Sequence, residues 1–311
     1  ILTGLAVLLL FTVVFKMPRQ KSTLPESLLN ADTSEVARIV MTPRSGAGKP
    51  FEFIREGNKW ILKQDDITAR PSTGAVENIL TEILAIKPRS LAGKGESKLK
   101  EFELTDSLAS RIKLLNKKGK VLADLMTGGF TYRQVRNPYG GSYGGNNIEG
   151  TSYVKLYGED EIYAVDGFLS LSFRGEFNDW RDKSFIRFKK EDVTKISFSM
   201  PADTGYTLEI KDSVWYVNDE PADSANTAGY ISSISFINGQ NFRDRYKPAS
   251  SPVYHANIEG NNLINLTIKC YKDTEAGKFI LNSSLNPDIY FESDFDDLVG
   301  RIFKSKKYFR K

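Results

Sequence analysis

The chain has 311 residues, of which 40% are hydrophobic and 26% are charged, so it has room for two folded domains of ordinary size. Its 43 basic and 39 acidic residues leave a formal net charge of +4 with the two signs interspersed, which argues against a nucleic-acid partner. A single cysteine, Cys270, excludes an intramolecular disulfide and any multi-cysteine metal site, and a single histidine, His255, removes most imidazole chemistry.

The first 15 residues contain no charged side chain. As a helix they span about 22 Å, less than the roughly 30 Å hydrocarbon core of a bilayer. We predict that residues 1–15 are the end of a single N-terminal transmembrane helix. A signal peptide is the alternative, although no cleavage site of small residues follows. Residues 16–34, with Pro18 and Pro25, are predicted to be a linker, and their basic residues would favour a cytoplasmic body by the positive-inside rule.

Residues 35–86 predict a strand, a hairpin and a helix in succession. Val36–Val40 is the strand, and Phe51–Leu62 contains the turn Glu-Gly-Asn between two further strands. Pro71 is predicted to open the helix as a first-turn proline. The helix then has apolar residues at the spacing of one buried face, namely Val76, Ile79, Leu80 and Ile83.

The same succession recurs in residues 192–237. Trp60 in the first hairpin corresponds to Trp215 in the second, an offset of 155 residues. The same offset relates two pairs of apolar residues in the predicted helices, Val76 with Ile231 and Ile79 with Ile234. Because solenoid repeats have periods of roughly 20–50 residues, this long period predicts two tandem copies of one small domain.

Each copy continues with alternating strands and closes with a short helix. The predicted fold is α+β, with two tandem antiparallel sheets that carry helices on one face, preceded by the transmembrane helix. The first repeat is assigned to residues 35–190 and the second to residues 191–311. The basic end of the chain, residues 301–311, is predicted to be the solvated face of a terminal helix, and an arm that binds phosphate or lipid is the alternative.

Residues 127–151 interrupt the correspondence between the two copies. The segment is rich in glycine and has little apolar material, so it is predicted to be a mobile loop. Tyr132, Tyr139 and Tyr143 lie on it and are candidate partner contacts, together with Trp180. A flexible insertion without a partner is the alternative.

No motif predicts a catalytic, cofactor or metal site. Gly48-Lys49 lacks the surrounding residues of a phosphate-binding loop, and no nucleophile motif lies near His255. Cys270 lies on the apolar side of a strand pattern and is predicted to fill the core. Three acids fit the first turn of the last helix rather than a calcium loop: Asp294, Asp296 and Asp297.

Together these elements resemble domain-of-unknown-function family 4340, a family of membrane-anchored bacterial proteins. The resemblance rests on the apolar N-terminal segment, on Gly57–Trp60 and Thr68–Ser72 leading into the helix, and on Ile162–Asp166 leading to Trp180–Lys183. It implies an association with ABC transporters of the gliding-motility type and a body outside the bacterial inner membrane, in the periplasm. It implies no functional residues.

These observations predict a non-enzymatic, membrane-anchored accessory subunit of an ABC-transporter-type or envelope complex. Its partners would be the permease and auxiliary subunits of the transporter, reached through protein–protein contacts. The alternative is an extracytoplasmic module that binds a glycan or lipid in an aromatic groove between the copies, with candidates Tyr139, Tyr143, Trp180 and Phe177. A hydrolase is a third hypothesis, which would depend on His255 or on an acid pair.

Overall fold

Antiparallel strands are the main secondary structure of the described chain, because buried and exposed side chains alternate along many of its segments. In the first strand, Ile39 and Met41 are buried while Arg38 and Val40 are partly exposed. The computed structural model describes residues 24–44, 46, 48–135, 147–201, 203–274 and 276–310. Among these residues no helix is both long and apolar enough to cross a bilayer, and the predicted anchor, residues 1–15, lies outside them.

The chain divides into two compact units, Ile1–Arg181 and Asp182–Lys311. The described part of unit 1 contains one nine-stranded sheet. Its strands are β1 (Val36–Thr42), β2 (Phe51–Glu56), β3 (Lys59–Gln64), β4 (Ile67–Ala69), β5 (Pro88–Lys94), β6 (Ser110–Asn116), β7 (Val121–Val135), β8 (Asn147–Leu156) and β9 (Glu161–Asp166).

The described part of unit 2 contains a second nine-stranded sheet and a two-stranded sheet formed by β10 (Ser184–Arg187) and β15 (Phe236–Asn238). The strands of the larger sheet are β11 (Val193–Met200), β12 (Asp203–Lys211), β13 (Val214–Val217), β14 (Glu220–Pro221), β16 (Asn241–Phe242), β17 (Tyr254–Gly260), β18 (Leu266–Asp273), β19 (Lys278–Ser283) and β20 (Asn286–Ser293).

Few and mostly short helices connect the strands. The α-helices are α1 (Ala75–Leu84), α2 (Glu96–Glu101), α3 (Leu169–Ser172), α4 (Phe177–Trp180), α5 (Ser224–Ile234) and α6 (Gly300–Ile302). Three single turns are 3₁₀-helical, at Thr33–Glu35, Lys190–Asp192 and Lys306–Phe309, and Phe295–Val299 is π-helical.

The two nine-stranded sheets have the same strand order. In unit 1 it is β4-β3-β2-β1-β6-β7-β8-β9-β5, and in unit 2 it is β14-β13-β12-β11-β17-β18-β19-β20-β16. The first residues of β1 and β11 also share a β-bulge against β6 and β17, between Val36 and Arg38 and between Val193 and Lys195. Each strand of one sheet therefore has a counterpart at the same position in the other.

Fully buried aliphatic and aromatic residues meet in register at the centre of each sheet. In unit 1, Ile39 on β1 lies opposite Phe53 on β2 and Leu114 on β6. In unit 2, Ile196 lies opposite Leu208 and Ile258, on the corresponding strands. Each trio belongs to the hydrophobic core of its own unit, against which α1 or α5 also packs.

The prediction that the helices lie on one face of the sheet is wrong for unit 1. Leu125 and Met126 are neighbours on β7, so their side chains point to opposite faces. Leu125 belongs to the main core with α1, whereas Met126 belongs to a second, smaller core against which Leu99 of α2 packs. The sheet of unit 1 is therefore covered by a helix on each face.

The constant offset of 155 residues is wrong for the helices. It holds for the fully buried pair Leu62 and Val217, on β3 and β13. However, Leu62 pairs with Ala69 seven residues later, whereas Val217 pairs with Glu220 only three residues later, so the offset falls by four. With an offset of 151, four buried residues of α1 coincide with all four of α5: Val76 with Thr227, Ile79 with Tyr230, Leu80 with Ile231 and Ile83 with Ile234.

Pro71 does not open a helix. It forms an isolated antiparallel bridge with Arg181 and lies outside the helix. Helix α1 begins four residues later at Ala75, after Gly74 in the left-handed conformation with φ of 77°. A left-handed residue is accessible to glycine without a steric penalty, so Gly74 sets the start of the helix.

The predicted linker, residues 16–34, extends too far along the chain. Leu28 and Leu29 are each only 8% exposed and belong to the core of unit 1, and the Leu28 amide donates to the Ile86 carbonyl at 3.3 Å. Leu28 and Leu29 lie eight and seven residues before Val36, the first residue of β1. In unit 2 the buried residues Phe185 and Ile186 lie equally far before Val193, the first residue of β11, and belong to β10. The repeated unit therefore begins before the strand β1.

The basic end of the chain has a solvated face, on which Arg301, Lys307 and Arg310 are exposed, but its apolar residues belong to the core of unit 2. Phe309 is fully buried and its ring packs on Tyr206 and Tyr230, with centroid distances of 6.0 and 5.0 Å. The Asp223 amide donates to the Phe309 carbonyl at 2.8 Å. In unit 1 the Ser72 amide makes the same bond to the Trp180 carbonyl, also at 2.8 Å, so each unit closes in the same way.

Candidate functional site

Unit 1 differs from unit 2 most clearly in a long hairpin. Strands β7 and β8 have 15 and 10 residues, whereas their counterparts β18 and β19 have eight and six. Strand β6 pairs with β7 only as far as Thr127, and β9 pairs with β8 only from Thr151 onward. In the described chain, residues 130–135 consequently pair only with β8, and residues 147–150 pair only with β7. Residues 128–135 and 147–151 together are called the β7–β8 ribbon.

The predicted mobile loop, residues 127–151, is therefore strand at both of its ends. Residues 127–135 belong to β7 and residues 147–151 to β8, with cross-strand pairs that continue to Val135 opposite Asn147. Apolar and polar residues alternate along parts of this segment, which is typical of a strand. Its glycines are typical of a loop, however, and the prediction of a loop rested on them. Tyr139 and Tyr143, predicted as contacts, lie outside the described residues.

Two glycines on β7 fix one side of the ribbon's base. The register shifts between Thr127 and Phe130, so that Gly128 and Gly129 form a bulge. The Gly129 amide donates to the Phe102 carbonyl at 2.8 Å. A Cβ atom on Gly128 would lie 2.2 Å from the same carbonyl oxygen, a distance that no side chain tolerates. The close approach of the two backbones therefore requires glycine at position 128.

On the other side of the ribbon's base, Gly150 on β8 allows an aromatic ring to pack close to the backbone. A Cβ atom there would lie 2.8 Å from the ring of Phe168, which itself packs edge-to-face on Phe130 with a centroid distance of 5.8 Å. The Ser170 hydroxyl donates to the Gly129 carbonyl at 3.2 Å. Helix α3 and the residue before it thus hold the base of the ribbon in a defined position.

A group of charges surrounds this base. The Glu103 carboxylate accepts a bond from Arg44 at 3.4 Å and lies 3.8 Å from the guanidinium of Arg174. The Arg174 guanidinium also lies 5.4 Å from the centre of the Phe130 ring, within the range of a cation–π contact. These partly exposed pairs add only modest stability, but they orient side chains at the base.

The two faces of the ribbon differ in chemistry. Tyr132 lies opposite Gly150 and Gln134 opposite Ile148, so the side chains of Tyr132, Gln134 and Ile148 share a face, and Tyr132 and Ile148 are 67% and 54% exposed. The other face has the charged side chains and includes Thr131, Arg133, Val135 and Glu149. We call these the apolar face and the polar face.

On the polar face Arg133 donates twice to Glu149, from Nε at 2.9 Å and from a terminal nitrogen at 2.6 Å. A shallow concavity of about 440 Å³ lies beside this pair and is also lined by Arg89, which is paired with Asp166 at 2.9 Å. The charges of the concavity are thus largely compensated. Ile148 is an exposed residue of the ribbon that was not among the contact residues predicted from the sequence.

The side chains of Trp180 and Phe177 pack within unit 1. Phe177 is only 4% exposed, and Trp180 packs edge-to-face on Phe53 with a centroid distance of 5.7 Å. The indole Nε1 of Trp180 donates to the Gly175 carbonyl at 3.3 Å. Both aromatic side chains therefore serve the core of unit 1, which leaves Tyr132 as the exposed member of the described candidates.

His255 and Cys270 lie on the sheet of unit 2, away from any described catalytic partner. His255 lies between Ser199 and Lys269 in the sheet register, and partial burial with the nearby Lys269 charge lowers its pKa. Cys270 is fully buried, and burial raises the pKa of its thiol to about 12. A thiol with this pKa remains protonated at neutral pH and is a poor nucleophile.

The acids near the end of the chain surround the start of the π-helical turn. Asp294 occupies the N-cap position without a capping hydrogen bond from its side chain, and Asp296 and Asp297 lie in the first turn, as predicted for acids at a helix N-terminus. Within the described residues, no group of three or more His, Cys, Asp or Glu side chains has the geometry to hold a metal ion.

The fold and site together define a protein of two antiparallel-sheet units, one of which projects a two-faced β-ribbon. Comparison with family models gives a match to the domain of unknown function DUF4340 over residues 63–256, which is 194 of the 311 residues. The chain belongs to this family, as the resemblance in its sequence predicted. The comparison with curated proteins found no match, and the comparison with solved structures found none either.

Proposed function

We propose that this protein is a non-enzymatic accessory subunit held at the bacterial inner membrane, with its body in the periplasm, and that the β7–β8 ribbon is its contact element. The proposed partner is an ABC-transporter-type or envelope complex, with contacts to its permease and auxiliary subunits. We also infer that the two units are tandem copies of one ancestral domain, which their common strand order supports.

The observation that carries the proposal is the ribbon itself. It is present in unit 1 and has no counterpart in the described part of unit 2, so the common fold does not need it. Three glycines and two aromatic rings hold its base, although the strands beyond that base have no further support from the sheet. A rigidly held projection that the common fold does not need is typical of a docking element.

The remaining chemistry supports a binding role over catalysis. The thiol of Cys270 is buried, and His255 lies between Ser199 and Lys269 in its strand register, with no orienting carboxylate directly opposite it. The aromatic groove of the alternative glycan-binding hypothesis would need Phe177 and Trp180, which are packed into the core of unit 1. A role through surface contacts is therefore the better supported of the two.

Photo-crosslinking in native membranes tests the proposal. A photoreactive benzoylphenylalanine would replace Thr131 on the polar face of the ribbon. In a matched control variant it would instead replace Lys118, an exposed residue of the β6–β7 turn at the opposite end of β7. We expect adducts with transporter or envelope subunits from position 131 and few from position 118. Equal adducts from both positions, or a clean monomer in mild detergent, would contradict the proposal.

A further inference from the structure

The ribbon and the N-terminal chain meet at the same end of unit 1. The Leu28 amide is bonded to the Ile86 carbonyl at 3.3 Å. Ile86 and Lys87 line one concavity together with Phe168, the residue that packs against Phe130 and Gly150 at the base of the ribbon. The point where the N-terminal chain joins the core is therefore adjacent to the ribbon.

A second connection runs through β5. Arg89 follows Ile86 by three residues, lines the concavity on the polar face of the ribbon and pairs with Asp166 at 2.9 Å. Asp166 in turn lies opposite Thr151, the last ribbon residue on β8. Residues 86–89, which begin at the attachment point of Leu28, therefore lie close to the base of the ribbon.

Chain length limits how far this end can be from a bilayer. Between the predicted anchor, residues 1–15, and Leu28 there are 12 residues, which span at most about 40 Å even when fully extended. The ribbon residues 128–135 form eight strand residues, with a length of about 26 Å. A ribbon of this length on the tethered end can reach the membrane surface.

The apolar face has the chemistry of the membrane–water interface. Tyrosine is enriched at that depth because its ring is apolar and its hydroxyl is polar, and an exposed isoleucine gains from burial among acyl chains. Tyr132 and Ile148 supply these groups on one face, while Arg133 and Glu149 on the other face neutralise each other. The ribbon therefore needs no anionic lipid for this contact.

We propose that the ribbon end of unit 1 faces the bilayer and that Tyr132 and Ile148 lie in its interfacial layer, which leaves the polar face for the protein partner. The inference rests on the membrane anchoring in the proposed function and adds an orientation to it. The accessory contact is thereby placed at the membrane surface, where the partner's membrane-embedded subunits emerge.

Depth-dependent fluorescence quenching tests the orientation on the full chain. Single cysteines would be introduced as Tyr132→Cys and Ile148→Cys on the apolar face, Thr131→Cys on the polar face and Lys118→Cys on the β6–β7 turn at the opposite end of β7. Each would be labelled with an environment-sensitive nitrobenzoxadiazole and reconstituted into phosphatidylcholine vesicles with or without spin-labelled lipid. The native Cys270 is fully buried and should not react in the folded protein.

We expect the labels at 132 and 148 to be blue-shifted and quenched at least about twofold more than the label at 118, with position 131 intermediate. Quenching at 148 no greater than at 118, in protein that still floats with the vesicles, would overturn the orientation and leave the proposed anchoring intact. Failure of the full chain to float would instead contradict the proposed function. Crosslinks from Ile148 to a protein, without lipid quenching, would assign the apolar face to the partner and overturn the inference.

Discussion

At the residue scale, glycines at the base of the ribbon determine whether it can be held in place. Gly128 and Gly129 are adjacent and belong to one bulge, yet their surroundings differ. A Cβ atom on Gly128 would overlap the Phe102 carbonyl oxygen at 2.2 Å, whereas on Gly129 it would lie at 3.5 Å, an ordinary contact. Backbone atoms cannot move aside as a flexible side chain can, so position 128 is the intolerant one.

This difference gives the first prediction. Gly128→Ala should lower the free energy of unfolding by about 1–3 kcal/mol, because the new methyl group forces two backbone segments apart. Gly129→Ala is the matched control and should change stability by less than about 1 kcal/mol. Urea denaturation of the two variants measures the difference, and equal stability of both would contradict the predicted clash.

His255 gives a prediction on pH. Partial burial and the neighbouring Lys269 lower its pKa in the folded protein, so the unfolded chain binds the proton more readily. The stability that neutral His255 contributes is complete above its unfolded pKa of about 6.5, and it is lost as the pH falls through the lowered pKa of the folded protein. We expect the urea midpoint to fall between about pH 7.5 and about pH 5.5 by more in the wild type than in His255→Gln.

At the element scale, the last turn of the chain closes the core of unit 2. The 3₁₀ turn Lys306–Phe309 places adjacent aromatic residues in opposite environments: Phe309 is fully buried, whereas Tyr308 is 39% exposed. Tyr206 and Tyr230 also donate to the carbonyls of Lys304 and Ile302, each at 2.6 Å. Side chains from distant strands and helices therefore hold this segment against the sheet.

Removing the Phe309 ring should consequently be costly. Phe309→Ala should destabilise unit 2 by about 3–5 kcal/mol, because it leaves a cavity between the rings of Tyr206 and Tyr230. Tyr308→Ala, one residue earlier, should cost less than about 1.5 kcal/mol because that ring is partly in water. Thermal unfolding monitored by circular dichroism distinguishes the two, and similar losses for both variants would show that the segment does not close the core.

At the scale of the whole molecule, each unit has its own hydrophobic core and its own entry segment. Leu28 and Leu29 enter the core of unit 1, and Phe185 and Ile186 enter that of unit 2, in each case shortly before the first strand of the larger sheet. The two cores share no residue. A cavity made by one entry segment should therefore affect mainly the unit to which it belongs.

Hydrogen exchange measured by mass spectrometry tests this assignment. Leu29→Ala should cost about 2–5 kcal/mol and increase exchange chiefly within residues 24–181. Ile186→Ala is the matched variant and should increase exchange chiefly within residues 182–310. No change for Leu29→Ala would mean that residues 28–29 belong to the linker after all.

Local patterns were enough to predict the strand, hairpin and helix at the start of each unit. The apolar spacing from Val76 to Ile83 specifies a helix with one buried face, and the alternation around Trp60 specifies paired strands, whatever the rest of the chain does. The recurrence of this succession also indicated two related units. The offset of 155 residues was wrong for the helices because the segment from Leu62 to its partner on β4 is four residues longer than the segment from Val217 to its partner on β14. The hairpin and helix patterns on either side of this segment are regular, so neither pattern reveals the difference in length.

The candidate site could not be predicted in the same way. Residues 128–135 and 147–151 contain three glycines, which are typical of loops, and only the pairing of the two segments makes them strands. Tyr132 was selected because it is a tyrosine in an unrepeated segment, but its partner on the apolar face, Ile148, depends on register. Register across a hairpin is a property of two segments together, so neither segment specifies it alone.

The sequence by itself determined the local elements, the two related units, the family and the scarcity of reactive residue types. The tertiary structure alone decided which segments pair at a distance, as when Pro88 on β5 lies opposite Val165 on β9, and which residues join a core from outside the predicted repeats, as Leu28 does. The physical reason is that helix and hairpin propensities act over a few residues. Strand order, close backbone approach and burial depend instead on groups that are far apart in the chain.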